Sequence, residues 1–245
     1  MSISKSQIKL IRSLNSKKFR DLNNLFVVEG DKLLQEAIDS GWEIDSVYRK
    51  EDIGEELMSK ITHLSSPSPV LAVVKQREFL IDSTPSKSEL FLVLDSVRDP
   101  GNLGTIIRIA DWFGIKQIIC SLDSVDLYNS KVVQSSMGAI FRVPVIYTDI
   151  HNFIKAYPYK DSIYGTFLDG QSIYSESLSD GGIIIMGSES FGISQSVESL
   201  VKKRLNIPSF AISNGGSESL NVAVATAIVC SEFRRLQIPL SNALK

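Results

Sequence analysis

Three polar side chains stand where chemistry is plausible: Asn102, Arg108 and Glu189. Together they offer an amide, a guanidinium and a carboxylate, groups able to hold an anion and to accept a hydrogen bond. The first two belong to "LDSVRDPGNLGTIIRIADWFG", residues 94 to 114. An apolar run ends there in Asp-Pro-Gly-Asn, and a helix begins whose apolar face carries Leu103, Ile106, Ile107 and Ala110. Arg108 and Asp111 fall on the other side. The ordinary account is a turn and N-cap, with Arg108 paired to Asp111 at i,i+3. The functional account is an anion-binding corner made by free amides at the helix start, Asn102 and Arg108. No Gly-Lys-Ser/Thr follows, so it is not a Walker loop, and the GxGxxG fingerprint is absent.

The second loop is "GIIIMGSESFGIS", residues 182 to 194, where a fully apolar run meets Gly187-Ser188-Glu189. A lone Gly-Ser-Glu is common turn chemistry. At the carboxyl end of a strand, Gly187 would permit close backbone approach to a ligand and Glu189 would offer an acceptor. The third is "IPSFAISNGGSESLNVAVATAIVCSEFRR", residues 207 to 235. Its Asn214-Gly215-Gly216 loop exposes backbone just before a helix rich in Ala and Val. That helix is either a buried core element or a subunit contact, since small residues let another backbone come close.

The elements that must hold these loops are legible in the alternation of β-rich and helical stretches. "LFLVLD", "KQIIC", "RVPVIY", "SIYGTF", "GIIIMG" and "RLNIP" are short apolar runs, mostly separated by helical ones, which predicts a largely parallel, helix-covered sheet. Ligands in such sheets sit beyond the carboxyl ends of the strands. Upstream, a helix-like opening, "LFVVEG", the amphipathic "DKLLQEAIDSG" and the strand candidates "IDSVYR" and "VLAVV" form a smaller α/β unit. The polar, Pro-containing "IDSTPSKSE", residues 81 to 89, is the linker between a 1–80 domain and a 90–245 domain.

The chain of 245 residues is 43% hydrophobic with a net charge of −2, enough to bury a substantial core. Its charge is uneven. Residues 1 to 20 carry Lys5, Lys9, Arg12, Lys17, Lys18 and Arg20 without an acid, whereas ten acids face three bases from Glu29 to Glu56. The basic opening reads as a solvated helix or as a phosphate-contacting arm, and charge alone does not choose. Cys120 and Cys230 fit neither a metal spacing nor a disulfide framework, so both read as buried thiols in a reducing compartment, with the cytoplasm as the default address. No signal-peptide core or membrane-length apolar run is present, and no metal site is expected.

The order and wording of the three loops carry a specific resemblance. "DPGNLGTIIRIADWFG", "IIIMGSESFGIS" and "IPSF…ESLNVAVATAIVCSEFRR" resemble the three successive motifs of the SpoU (TrmH-like) RNA 2′-O-ribose methyltransferases of the SPOUT superfamily, as does "SSMGAIFRVPV" at 135 to 145. The likeness covers about residues 90 to 236. "KKFRDLNNLFVVEGDKLLQEAIDSG" is similar to that family's L30e-like substrate-binding domain.

The resemblance implies an α/β fold whose parallel sheet is closed by a trefoil knot, a homodimer packed through the knotted helices, and a bent pocket for S-adenosyl-L-methionine. It implies functional roles for Asn102, Arg108, Glu189, Ser219 and Asn221, and cofactor contacts from Thr166, Gly187, Ile207 and Leu220. The ten residues from Ser209 to Glu218 are longer than the family's usual loop. The implied substrate is RNA, ribosomal by analogy with the L30e-like domain, or transfer RNA. The alternatives are a non-catalytic RNA-binding or ribosome-assembly factor, or methylation of a base. Whether Arg108 acts as a base or stabilises charge stays open, since a guanidinium rarely gives up its proton.

Overall fold

The computed structural model describes residues 3–82, 84–210, 219–235 and 237. Every apolar run singled out in the sequence is a strand. In the amino-terminal part, β1 (Leu25–Glu29), β2 (Ile44–Arg49) and β3 (Val70–Lys75) form an antiparallel sheet of order β1-β3-β2. Around it lie α1 (Lys5–Ser13), α2 (Lys17–Asn23), α3 (Asp31–Asp39), α4 (Lys50–Ile53) and α5 (Glu55–Ile61). Ser4 and Gln7 close a reciprocal capping box at the start of α1. α3 ends where Gly41, at φ +67°, turns the chain back.

The carboxyl-terminal part is a six-stranded parallel sheet built from β4 (Leu90–Asp95), β5 (Gln117–Cys120), β6 (Val145–Tyr147), β7 (Ile163–Ser172), β8 (Gly182–Gly187) and β9 (Lys203–Asn206). Its order is β6-β5-β4-β8-β7-β9. Helices α6 (Pro100–Trp112), α7 (Ser130–Ser135) and α10 (Val222–Arg235) cover one face, and α8 (Ile150–Ala156) and α9 (Gln195–Glu198) the other. Alternation along the central strands sorts side chains between these faces: Leu90, Leu92 and Leu94 of β4 enter one core, Phe91 and Val93 the other. β4 and β8 are buried along their apolar lengths, as strands covered on both faces must be.

The two sheets are not separate in their packing. Phe26, Val28, Trp42 and Val70 share one core with Leu92, Tyr128, Val133 and Phe141. The Trp42 indole N–H donates to the Phe141 carbonyl at 3.0 Å, and the buried Arg20 meets Asp126 at 2.6 Å. Further polar links across this boundary run from Arg142 to Glu36, from the Gln134 amide to the Glu29 carbonyl and between the Arg77 backbone and the Tyr128 hydroxyl.

The Asn214-Gly215-Gly216 loop and Ser217 lie outside the described residues, which leave out 211–218. Among the described residues no helix is long and apolar enough to cross a membrane, and no group of three or more His, Cys, Asp or Glu could hold a metal ion. Both cysteines are buried, and burial pushes their thiols up, Cys230 to about 12.

Candidate active site

The sheet order reverses direction between β4 and β8: the chain winds outward from β4 through β5 and β6 on one side, while β7 and β9 lie on the other. The loops after these two strands therefore part and leave a crevice, the usual ligand position in an open α/β sheet. Their register places Asp95 opposite Gly187, so the first and second motifs emerge side by side.

Asp99 caps α6, its carboxylate accepting the Asn102 N–H at 2.8 Å, and Pro100 begins the helix where a missing N–H costs nothing. This fixes Asn102 in the first turn. Its Nδ2 donates to Glu189 Oε1, and its Oδ1 accepts from Asn221 Nδ2 at 2.9 Å. Asn221 Oδ1 in turn accepts the Ala223 and Val224 N–H groups at 3.0 and 3.3 Å, which caps α10. One hydrogen-bonded line thus joins all three motif loops.

Gly187 is needed for a reason other than ligand approach. A Cβ there would lie 2.1 Å from the Gly192 backbone carbon, because the chain doubles back through an isolated bridge between Ser188 and Gly192. Asp95, buried at the end of β4, accepts the Ser194 N–H at 2.8 Å and ties down the far end of this loop. The acid that closes the apolar "LFLVL" run is the signal in the sequence for Asp95.

Beside the cluster opens a cavity of about 550 Å³ lined by Thr166, Gly187, Glu189, Ile207, Ser219 and Leu220. Four of these are the residues expected to contact the cofactor; Glu189 and Ser219 come from the expected catalytic set. Met186, Leu205, Val222 and Ala225 complete apolar walls, and the volume lies in the range of small-molecule sites, about 300–1,000 Å³. The lining suits S-adenosyl-L-methionine: apolar walls for a flat adenine, a carboxylate bonded to Asn102, and the Ser219 hydroxyl among its polar groups. At the rim, Arg204 stacks on Phe167 with its guanidinium carbon 3.6 Å from the ring centroid and pairs with Asp169 and Glu198. Nothing in the motif spacing had marked that group.

Arg108 is placed differently. It is exposed on α6, does not line the cavity, and makes no hydrogen bond or ion pair among the described residues. Six residues from Asn102, it sits about 120° away around the helix. The surface pair with Asp111 does not form either, because Arg142 takes both Asp111 oxygens at 2.8 to 3.2 Å. One turn beyond Arg108, Trp112 is 85% exposed.

The description "SpoU rRNA Methylase family" matches residues 89–231, and "MRM3-like substrate binding domain" matches residues 5–77. The 23S rRNA (guanosine(2553)-2′-O)-methyltransferase RlmP of Bacillus subtilis is 29% identical over 252 residues, covering 95% of this chain and 98% of that protein. The 23S rRNA (guanosine-2′-O-)-methyltransferase RlmB of Neisseria meningitidis is 33% identical over 156 residues, 62% of this chain and 61% of that protein. The AdoMet-bound rRNA methyltransferase structure from Sinorhizobium meliloti superposes with a TM-score of 0.85 at 30% identity, covering 98% of this chain and 99% of that one.

Proposed function

The chain belongs to the SpoU rRNA methylase family, and from that premise we propose that the Asn102, Glu189 and Asn221 cluster is where a methyl group passes to RNA. The protein is an S-adenosyl-L-methionine-dependent RNA 2′-O-ribose methyltransferase, and ribosomal RNA is its substrate class. The observation that carries the site assignment is the line of hydrogen bonds from Glu189 through Asn102 to Asn221 at the edge of a cofactor-sized cavity.

S-adenosyl-L-methionine supplies the methyl group, carried on a sulfonium. The chain's own task is to place a ribose 2′-hydroxyl, receive or relay its proton, and stabilise the charge left on its oxygen. Glu189 is held with one oxygen on Asn102, so its second oxygen is presented at a fixed angle for a hydroxyl or a cation. Ser219 contributes a hydroxyl on the cavity side. Arg108, exposed on α6 and without a partner among the described residues, meets the RNA, where its charge steadies a phosphate or the developing alkoxide. Thr166, Gly187, Ile207 and Leu220 hold the cofactor.

Residues 1–80 are the RNA-binding unit and 90–245 the methyl-transferring unit, joined by 81–89. The protein works as a homodimer in the cytoplasm. Support for the dimer is the exposure of two apolar side chains, Trp112 on α6 and Val224 on α10, a helix that packs on α6. The two buried thiols suit a reducing compartment.

Calorimetry with S-adenosyl-L-methionine, followed by mapping of 2′-O-methyl sites on rRNA transcripts treated with the protein, tests the reading. Micromolar cofactor binding and one new ribose methylation are expected. Absence of cofactor binding would refute it.

A further inference from the structure

The loop that carries Glu189 has a second cavity on its other side. This cleft, about 150 Å³, is walled by Arg98 and Ser96 from the loop after β4 and by Glu189 and Phe191 from the loop after β8. Its volume suits on the order of five waters, or one flat heterocycle. The cleft and the cofactor cavity share Ser188, Glu189, Ser190, Phe191 and Gly192, so anything in the cleft lies against the same carboxylate that faces the cofactor.

Both walls are prepared for a ring. Phe191 is 86% exposed, yet its backbone is held by the Ser188 hydroxyl at 3.2 Å and by the Ser188–Gly192 bridge on either side. Arg98 is anchored through Nη2 to Asp123 at 2.6 Å, which leaves its other donors facing solvent. Arg98 and the Ser121 hydroxyl hold the Asp123 carboxyl down at about 2, so the anchor stays charged at any physiological pH. Ser96 completes the wall in the left-handed region at φ +60°, fixed by hydrogen bonds to the Ser121 and Asp123 side chains at 2.8 Å each.

An exposed aromatic face beside a planar cation matches an unpaired nucleobase: such bases stack on aromatic rings and on guanidinium planes. We propose that the cleft between Arg98 and Phe191 receives the unstacked base of the nucleotide whose ribose is methylated. This rests on the reading of Glu189 and Asn102 as the ribose site. A base is attached directly to its ribose, so with the cofactor in the larger cavity a ribose at Glu189 leaves its base within reach of this cleft. Phe191 stacks on the base, and Arg98 covers its other face or holds the adjoining phosphate.

The test is equilibrium binding of two RNA probes at low salt: an adenosine dodecamer, and a dodecamer of ribose phosphate without bases. The wild-type protein is expected to prefer the base-bearing strand by tenfold or more. Phe191→Leu, of similar apolarity but without a ring face, is expected to lose that preference. Phe191→Trp is expected to keep it, with tryptophan emission quenched by the adenosine strand and not by the abasic one. Equal binding of both strands by the wild type, or unchanged preference in Phe191→Leu, would overturn the proposal. Cofactor calorimetry on the wild type reports the methyltransferase reading separately, so failure of one does not pass for failure of the other.

Discussion

Asn221 Nδ2 donates to Asn102 Oδ1 at 2.9 Å across 119 residues of chain, and the direction of that bond is set by a helix. The free N–H groups at the start of α10 require an acceptor, so Asn221 must turn its oxygen to Ala223 and Val224. Its NH₂ group is then left for Asn102, which must answer with oxygen and present its own NH₂ to Glu189. Helix capping thereby decides which atoms face the carboxylate.

Asn221→Ala should consequently fail in two ways. Loss of the cap costs about 1 kcal/mol of stability, readable in urea unfolding. Loss of the donor frees Asn102 to rotate, so cofactor affinity and turnover should both fall. Normal turnover in a destabilised variant would separate the cap from the chemistry and sink the relay.

Arg108→Ala should behave otherwise. Its side chain lies outside the cavity and pairs with nothing described, so cofactor affinity and stability should stay near wild type while methyl transfer falls by about 10²-fold or more, the scale of a lost charge-stabilising group. Retained transfer to a verified RNA would show Arg108 to be an ordinary surface residue.

Asn102→Asp places a carboxylate where an amide donor meets Glu189. Like charges in contact disfavour each other, so the variant should lose transfer at neutral pH by about 10²-fold or more. Glu189→Gln in that background should restore part of the folding stability but not the activity, a non-additivity that unfolding and rate measurements on the four proteins of the cycle would expose.

Trp112→Glu tests the subunit contact. Sedimentation at micromolar concentration should show a dimer for the wild type and a monomer for the variant. A wild-type monomer would remove the proposed homodimer.

Trp42→Ala should destabilise the whole protein by about 3–5 kcal/mol, because Trp42 packs on Phe26, Tyr128 and Phe141 and bonds the Phe141 carbonyl across the two sheets. A single unfolding transition should move. If only part of the signal moved, the two halves would be folding independently. The same shared core means that removing residues 1–80 should expose the apolar surface under Tyr128 and Val133 and cost cofactor binding through loss of folding, rather than RNA affinity alone.

His63 supplies a pH dependence. Burial is the largest influence and lowers its pKa below 6.5, against the pull of the Ile11 carbonyl at 2.9 Å and of Glu29. The unfolded chain therefore binds this proton more readily than the folded one. Stability is greatest above the unfolded value and declines as pH falls through it toward the folded value. Thermal melts between pH 7.5 and 5 should show this decline, and His63→Gln should flatten it. An identical slope in the variant would assign the effect elsewhere.

Periodicity and apolar runs determined a great deal here. Strands such as Leu90–Asp95 and Gly182–Gly187 are legible because burial on both faces demands unbroken apolar side chains, and α6 because Asp99 and Pro100 announce a helix start. Thr166, Gly187, Ile207 and Leu220 come from the family resemblance alone, and all four line the one cavity. Pairings between distant parts of the chain were settled by folding alone. Asp111 takes Arg142 instead of its helix neighbour Arg108, Gly187 is required by the backbone of Gly192, and Trp42 of the first sheet is buried on Phe141 of the second. A local pattern encodes which side of an element is apolar, because that repeats every two or 3.6 residues. It holds no record of which partner the tertiary structure brings to the other side.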